Sequence, residues 1–219
     1  MRNAMLAVML IIVVMLAYRI IVINRTERTQ VVKDVVLLHI VAASTILFYA
    51  MTILNINETF ALVSYGLYFW CCDFILLLFI VYINDFTMEN FRNKIVAPMI
   101  DIMILLDGIL CLINVFNRMF FSVKLSGNDT SGYYYKVAQR MPMYLYHRCL
   151  ICILCLLIIC MLSYEIYKAA KIYVKQYFAV LYCFLFTILT NIIYEVFDLE
   201  FDYSVLFYGL VAIAIYYFT

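Results

Sequence analysis

Charged residues are scarce in this chain. Only 13% of its 219 residues are Asp, Glu, Lys or Arg, while 68% are hydrophobic. A soluble domain of this length needs a charged surface that such a composition does not supply. Gly and Pro are also rare, at 5 and 2 residues, which predicts helices with few breaks. The net charge of +1 gives no indication of a nucleic-acid partner. These absences indicate an integral membrane protein, with the lipid bilayer as its solvent.

Sequence motifs for catalysis and cofactor binding are also absent. The chain has no Walker loop, GxSxG, HExxH or dinucleotide-binding glycine motif, so we predict no catalytic residue and no cofactor in this segment. The eight cysteines lie inside apolar runs, which argues against a disulfide framework. Cys149, Cys152 and Cys155 have a regular spacing, but a metal site also needs His or carboxylate ligands and only His147 is near. We therefore predict no metal site.

Seven apolar runs are separated by short connections, except for the segment 117–143. A helix of about 20 apolar residues spans the hydrocarbon core of a bilayer. We therefore predict an all-α membrane protein, a seven-transmembrane helix bundle. Its helices are expected at residues 4–23, 35–54, 60–83, 95–116, 144–164, 177–197 and 204–218. The polar and aromatic stretch 128–136 suits either recognition or a solvated connector loop.

The distribution of Lys and Arg predicts the orientation. The short loops "NINET" and "DLEFDYS" contain no Lys or Arg. Six basic residues lie on the same side of the membrane as these loops, and nine lie on the opposite side. Because basic residues favour the cytoplasmic side, we predict an amino terminus outside and a carboxyl terminus inside. The last run is shorter than the about 20 residues that a membrane span needs, and no basic residue anchors its end. We expect the chain to continue beyond Thr219 into a cytoplasmic domain.

Two carboxyl groups fall inside the predicted spans. Asp73 interrupts the run "YFWCCDFILLLFIVYI", where a charge costs roughly 2.5–3.5 kcal/mol on insertion scales. Asp107 lies in the next run, at about 18 Å from the inner end against about 15 Å for Asp73. We expect these neighbours to share a proton or a cation, or at least one to be protonated. Asp101 and His39 extend the predicted intramembrane polar network.

A polar stripe runs along the sixth predicted helix. Thr187, Asn191, Glu195 and Asp198 share one helix face, which should point into the bundle beside the acidic loop that contains Asp202. The alternative is that such groups bond one another and only fix helix positions. We predict a ligand pocket open to the outside for an unknown small molecule or ion. Its predicted ligand-binding residues are Asn191, Glu195, Thr187, Asp107 and Asn114.

Two segments resemble a known family. The third helix, "ALVSYGLYFWCCDFILLLFIVYINDFT" at 61–87, and the last, "VLFYGLVAIAIYYF" at 205–218, are similar to a bacterial sensory region. This is the N-terminal seven-transmembrane region found ahead of histidine kinases and GGDEF diguanylate cyclases. The resemblance implies a receptor in the bacterial cytoplasmic membrane. Its last helix would signal to a cytoplasmic signalling domain in cis, within a homodimer.

Two other functions share parts of this pattern. A small proton- or cation-coupled transporter would use Asp73 and Asp107, and it would need no cytoplasmic domain. A eukaryotic G-protein-coupled receptor would share the topology, but its third helix usually ends in an acidic-Arg pair where this chain has "YINDF". We take the signal-sensing domain as the first hypothesis.

Overall fold

The computed structural model describes residues 2–23, 25, 29–54, 57–87, 96–128, 132–197 and 199–218. Within these ranges the chain forms seven helices and one β-hairpin, which confirms the predicted seven-helix bundle. The elements are α1 Arg2–Ile23, α2 Gln30–Leu54, α3 Glu58–Thr87, α4 Val96–Asn117, β1 Phe121–Asn128, β2 Gly132–Arg140, α5 Tyr144–Lys168, α6 Lys171–Phe197 and α7 Ser204–Phe218.

Six of the described helices, α1 to α6, are long and apolar enough to cross a membrane. The seventh is apolar over the shorter segment Ser204–Tyr216. Large apolar side chains cover the outside of the bundle: Leu10 is 63% exposed, Leu145 67% and Leu156 61%. Such a surface is stable only against lipid, so the chain is a multi-pass membrane protein. Which terminus faces outside remains a prediction.

Helix α3 forms the centre of the bundle. In its most apolar 18-residue window, 67% of residues are buried, against at most 44% in the other spans. It packs against α2, α4, α5 and β1. At Gly66 it approaches α4 so closely that a Cβ atom would lie 2.8 Å from the carbonyl oxygen of Cys111. The small residue thus allows the close helix contact that brings Asp73 near α4.

The segment 117–143, which the sequence analysis treated as a longer connecting loop, contains a β-hairpin at 121–128 and 132–140. Strands β1 and β2 pair antiparallel, with Val123 opposite Val137 and Leu125 opposite Tyr135. Their β-branched and aromatic residues favour strands. Gly127, at a φ of 101°, supplies a backbone conformation that side chains disfavour. The hairpin packs against α2 and α3, so it is part of the bundle's polar end.

Asn114 fixes the start of this hairpin to the end of α4. Its side-chain Nδ2 donates to the carbonyl of Phe121 at 2.9 Å. Its Oδ1 accepts from the backbone N–H of Phe120 at 2.8 Å and of Phe121 at 3.2 Å. The side chain is fully buried. The sequence analysis predicted that this amide binds a ligand. It instead forms hydrogen bonds to backbone groups of residues 120 and 121, where the chain reverses direction after α4.

Replacing Asn114 with Ala should loosen the hairpin. Each buried donor or acceptor left unpaired costs roughly 1–3 kcal/mol, so we expect the free energy of unfolding to fall by about 2 kcal/mol or more. Hydrogen exchange within 121–128 and 132–140 should accelerate. The matched control is Asn117→Ala, since the Asn117 Oδ1 accepts only an exposed backbone N–H, from Met119 at 3.1 Å. Equal exchange in both variants would contradict the anchoring role.

Candidate functional site

Three helices contribute one ionisable side chain each to a cluster inside the bundle. These are Asp73 from α3, Asp107 from α4 and His147 from α5, all fully buried. The His147 Nδ1 lies 2.7 Å from the Asp107 Oδ2 and 3.7 Å from the Asp73 Oδ2. Both predicted intramembrane carboxyl groups therefore face the same imidazole nitrogen. We call Asp73, Asp107, Cys111 and His147 the buried cluster.

Cys111 completes the buried cluster from the next turn of α4. Its Sγ lies 3.7 Å from the Asp107 Oδ2. The donor atoms of Asp107, Cys111 and His147 all lie within 4.8 Å of one another, a spacing that a metal ion could bridge. Within the described residues, neither carboxyl oxygen of Asp73 has a hydrogen-bond partner. The cluster thus combines nitrogen, oxygen and sulfur donors with unused acceptor capacity.

Charge balance limits the states of this cluster. Two ionised carboxylates beside a neutral imidazole would place a charge of −2 in an apolar interior, at a high desolvation cost. Neutrality requires two bound protons or one divalent cation. With protons, the neutral arrangement is an imidazolium paired with one carboxylate beside a protonated carboxyl group. Asp73, Asp107 and His147 can therefore store protons or hold a cation.

A cavity of about 20 Å³ adjoins the buried cluster, large enough for a single water molecule. His147 forms part of its wall. Its polar lining comes from four parts of the chain: Arg140, Arg148, Asn191, Glu195 and Asp202. Six tyrosines surround these groups: Tyr49, Tyr65, Tyr68, Tyr144, Tyr194 and Tyr208. We call it the Arg–Tyr cavity.

Glu195 is the centre of an ion-pair network in the Arg–Tyr cavity. Its carboxylate lies 3.2 Å from Arg140 at the end of β2 and 3.3 Å from Arg148 on α5. The hydroxyl of Tyr144 donates to it at 3.1 Å. Two guanidinium groups face one glutamate, so this part of the cavity has an excess of positive charge. Such an excess suits an anionic group on a ligand.

Asn191, one helical turn before Glu195, connects three helices. Its Oδ1 accepts from Arg148 of α5 at 3.0 Å. Its Nδ2 donates to the Ser204 Oγ, at the start of α7, at 3.2 Å. Both polar atoms of one amide are thus used between neighbouring helices. Asn191 therefore links Arg148 of α5 to the start of α7.

Asp202 turns inward from the segment between α6 and α7 and is only 3% exposed. Its Oδ2 accepts from the Tyr68 hydroxyl at 2.7 Å, and its Oδ1 accepts from the backbone N–H of Ser204 at 2.9 Å. Its own N–H donates to the Tyr49 hydroxyl at 2.6 Å. Burial raises the pKa of Asp202 above its usual value. The predicted acidic loop is therefore partly an internal element of the cavity.

Other residues predicted for the site lie elsewhere. Thr187 is buried, but its hydroxyl donates within α6, to Cys183 at 3.0 Å. His39 contacts the Val35 carbonyl of its own helix through Nδ1 at 2.8 Å. Asp101 is exposed, because it lies six residues before Asp107 and so on a different helix face. Asp198 lies outside the described residues.

The sequence analysis missed the contribution of the first turns of α5. Tyr144, His147 and Arg148 are spaced i, i+3 and i+4, which places them on one helix face. His147 and Arg148 are also the first basic residues of the predicted span 144–164. A basic residue inside a membrane span indicates a functional site by default. This rule could have identified His147 and Arg148 from the sequence.

These observations define a multi-pass helical membrane domain with a polar site inside the bundle. The chain belongs to the family of N-terminal seven-transmembrane regions of histidine kinases, whose family model matches residues 4–219. It is therefore a transmembrane sensor region, and this region is itself non-catalytic. The predicted resemblance to the histidine kinase receptors is confirmed, while the link to diguanylate cyclases stays a prediction. No curated protein and no solved structure matches the chain.

The raised pKa of Asp202 predicts a pH dependence of stability. Because the folded-state pKa lies above the unfolded value of 3.8, the stabilising contribution is complete below that pH. It is lost as the pH rises through the folded-state pKa. We expect Asp202→Asn to flatten this decrease when unfolding in detergent is measured from about pH 4 to about pH 7.

The matched control is Glu200→Gln, since Glu200 also accepts from a tyrosine hydroxyl, that of Tyr134 at 2.8 Å. Because Glu200 is exposed, we expect the slope to change more in Asp202→Asn than in this variant. If the stability of Asp202→Asn depended on pH as in the wild type, the raised pKa assigned to buried Asp202 would be contradicted.

Proposed function

We propose that this chain is a bacterial receptor domain that binds a small ligand in the Arg–Tyr cavity. Binding is passed through α7 to a cytoplasmic signalling domain in cis, a histidine kinase or a diguanylate cyclase. The observation that carries this proposal is the position of Asn191 between Arg148 and Ser204. Asn191 lines the cavity and contacts Ser204 at the start of α7, the helix that would lead to the output domain.

The chemistry of the cavity favours a ligand with an anionic group. Arg140 and Arg148 can each form two parallel hydrogen bonds to a carboxylate or phosphate. The surrounding tyrosines add hydroxyl donors and ring surface for the rest of a small molecule. In the predicted orientation, the cavity and the hairpin face the cell exterior. The ligand would therefore be extracellular.

Signalling in this proposal is a population shift between two arrangements of the bundle. The cavity has room for a single water molecule, so any larger ligand needs an arrangement in which the cavity is wider. A ligand that binds only the wider arrangement shifts the population towards it. An anionic ligand would compete with Glu195 and Asn191 for Arg148, and would thereby release Ser204. In a homodimer, the resulting change in α7 would reach both output domains.

Family membership favours the sensor over the proton- or cation-coupled transporter. The transporter hypothesis depends on Asp73 and Asp107 being reached alternately from both sides of the membrane. The family model describes a region of histidine kinases, which work by signalling rather than by transport. Under the sensor proposal, Asp73 and Asp107 belong to the interior that holds α3, α4 and α5 together.

Substitutions at Asn191 and Glu195 should change the basal output of the full-length protein. Asn191→Ala removes the bridge from Arg148 to Ser204, and Glu195→Gln removes the charge that both arginines face. Allosteric coupling energies correspond to about 5- to 150-fold changes, so we expect a change of about fivefold or more. The measurement is autophosphorylation, or cyclic dinucleotide synthesis, in membrane vesicles.

The control for this experiment is Thr190→Ala on the same helix. The Thr190 hydroxyl donates to carbonyl groups of its own helix, so its loss should leave the output unchanged. Membrane insertion should be equal in all three variants. Basal output that is the same in all three and in the wild type would refute the proposed route through Asn191.

A further inference from the structure

We propose that the buried cluster is a binding site for one divalent transition-metal ion of the zinc type. The ligands are Asp107, Cys111 and His147, with Asp73 facing the fourth coordination position. The inference is independent of which ligand enters the Arg–Tyr cavity, and of the type of output domain. It also replaces the prediction that this chain has no metal site.

Two of the distances in the cluster match the spacing of atoms in a tetrahedral metal site. Zinc bonds of about 2.0–2.3 Å place the ligand atoms of a tetrahedron about 3.3–3.7 Å apart. The Cys111 Sγ lies 3.7 Å from the Asp107 Oδ2, and the His147 Nδ1 lies 3.7 Å from the Asp73 Oδ2. The contact of 2.7 Å between His147 and Asp107 is a hydrogen bond, which the metal would replace. Moving these two atoms apart by about 1 Å would bring this pair to the same spacing.

The unused oxygen atoms of the cluster are a second, independent indication of a ligand. Both carboxyl oxygens of Asp73, and the Oδ1 of Asp107, are buried and have no hydrogen-bond partner within the described residues. Both side chains are fully buried. Buried acceptors are nearly always satisfied, because an unpaired one loses its hydrogen bonds to water without replacement. An ion bound by Asp107, Cys111 and His147 would place its positive charge beside these oxygen atoms.

Charge and proton balance also favour a divalent ion. The ion cancels the charge of the two carboxylates, so the occupied cluster is neutral with a neutral imidazole. A thiol that binds zinc loses its proton. In this site the Cys111 proton moves to Asp73, which leaves a metal bound by one carboxylate, one thiolate and one imidazole. The imidazole carries its proton on Nε2, so that the lone pair of Nδ1 faces the metal.

The donor set selects the class of metal. Magnesium and calcium prefer six or more oxygen ligands, which this cluster does not offer. A combination of thiolate, imidazole and carboxylate suits zinc, and also cobalt(II) as its spectroscopic substitute. The imidazole of His147 borders the Arg–Tyr cavity, so an ion would approach the cluster from that side. Cys149 and Cys152 of α5 are exposed and do not take part.

The test is cobalt binding to the purified wild-type protein in lipid nanodiscs after treatment with a chelator. We expect one cobalt ion per chain by elemental analysis, with the visible bands of tetrahedral cobalt and a thiolate-to-cobalt charge-transfer band. Zinc should displace the cobalt. Absence of stoichiometric cobalt binding by the wild-type protein would overturn the proposal.

Single substitutions test which side chains bind the metal. We expect Asp107→Asn and His147→Gln to weaken cobalt binding on the order of tenfold or more. Matched controls are Asp101→Asn, the exposed carboxylate of the same helix, and His39→Gln, the only other histidine in the sequence. Both controls should bind like the wild type. An equal loss of affinity in controls and cluster variants would also overturn the site.

Cys111→Ser supplies a readout that does not depend on a large loss of stability. We expect it to retain cobalt through the remaining ligands but to lose the charge-transfer band. Cys72→Ser, at the neighbouring buried cysteine of α3, should keep that band. A band that persists in Cys111→Ser would show that another thiol binds the metal, and would refute the assignment.

Discussion

The interior of this bundle depends on the rule that a charge buried among apolar side chains must be compensated. Asp107 and His147 are fully buried and lie 2.7 Å apart, and Asp73 faces the same imidazole. Removing one partner from such a buried pair leaves a charge without compensation, at a cost of about 3–5 kcal/mol. The pair therefore fixes the relative rotation and depth of α4 and α5. With Asp73 it extends this constraint to α3, the most buried of the six long spans.

The first turns of α5 connect the buried cluster to the Arg–Tyr cavity. His147 faces Asp107 and also borders the cavity, while the adjacent Arg148 contacts Glu195 and Asn191 of α6. A small movement of this one helix end therefore alters both sites. An ion or proton change at His147 and a ligand at Arg148 would act on the same element. Under the proposed function, the state of the buried cluster would therefore influence how the cavity opens.

Hydropathy alone was enough to predict seven helices, because every long apolar run forms one. The depth of Asp73 and Asp107 could also be estimated, since helical rise is constant. The hairpin was missed because its strands lie between spans, where alternation over eight residues is a weaker signal than a 20-residue apolar run. His147 and Asp202 were missed for a related reason. Near a helix end or in a loop, a polar residue is expected to face water, and only the tertiary fold shows that it turns inward.

The most direct test of this account is a double-mutant cycle on Asp107 and His147, measured by reversible unfolding in detergent. The variants are Asp107→Asn, His147→Gln and the combination of both. Each single substitution should destabilise the protein strongly, and the double variant should be less destabilised than the sum, since no uncompensated charge remains. A coupling energy of about 1 kcal/mol or more is the predicted result. Additive effects, or two nearly neutral single variants, would contradict the claim that this buried pair holds the helices together.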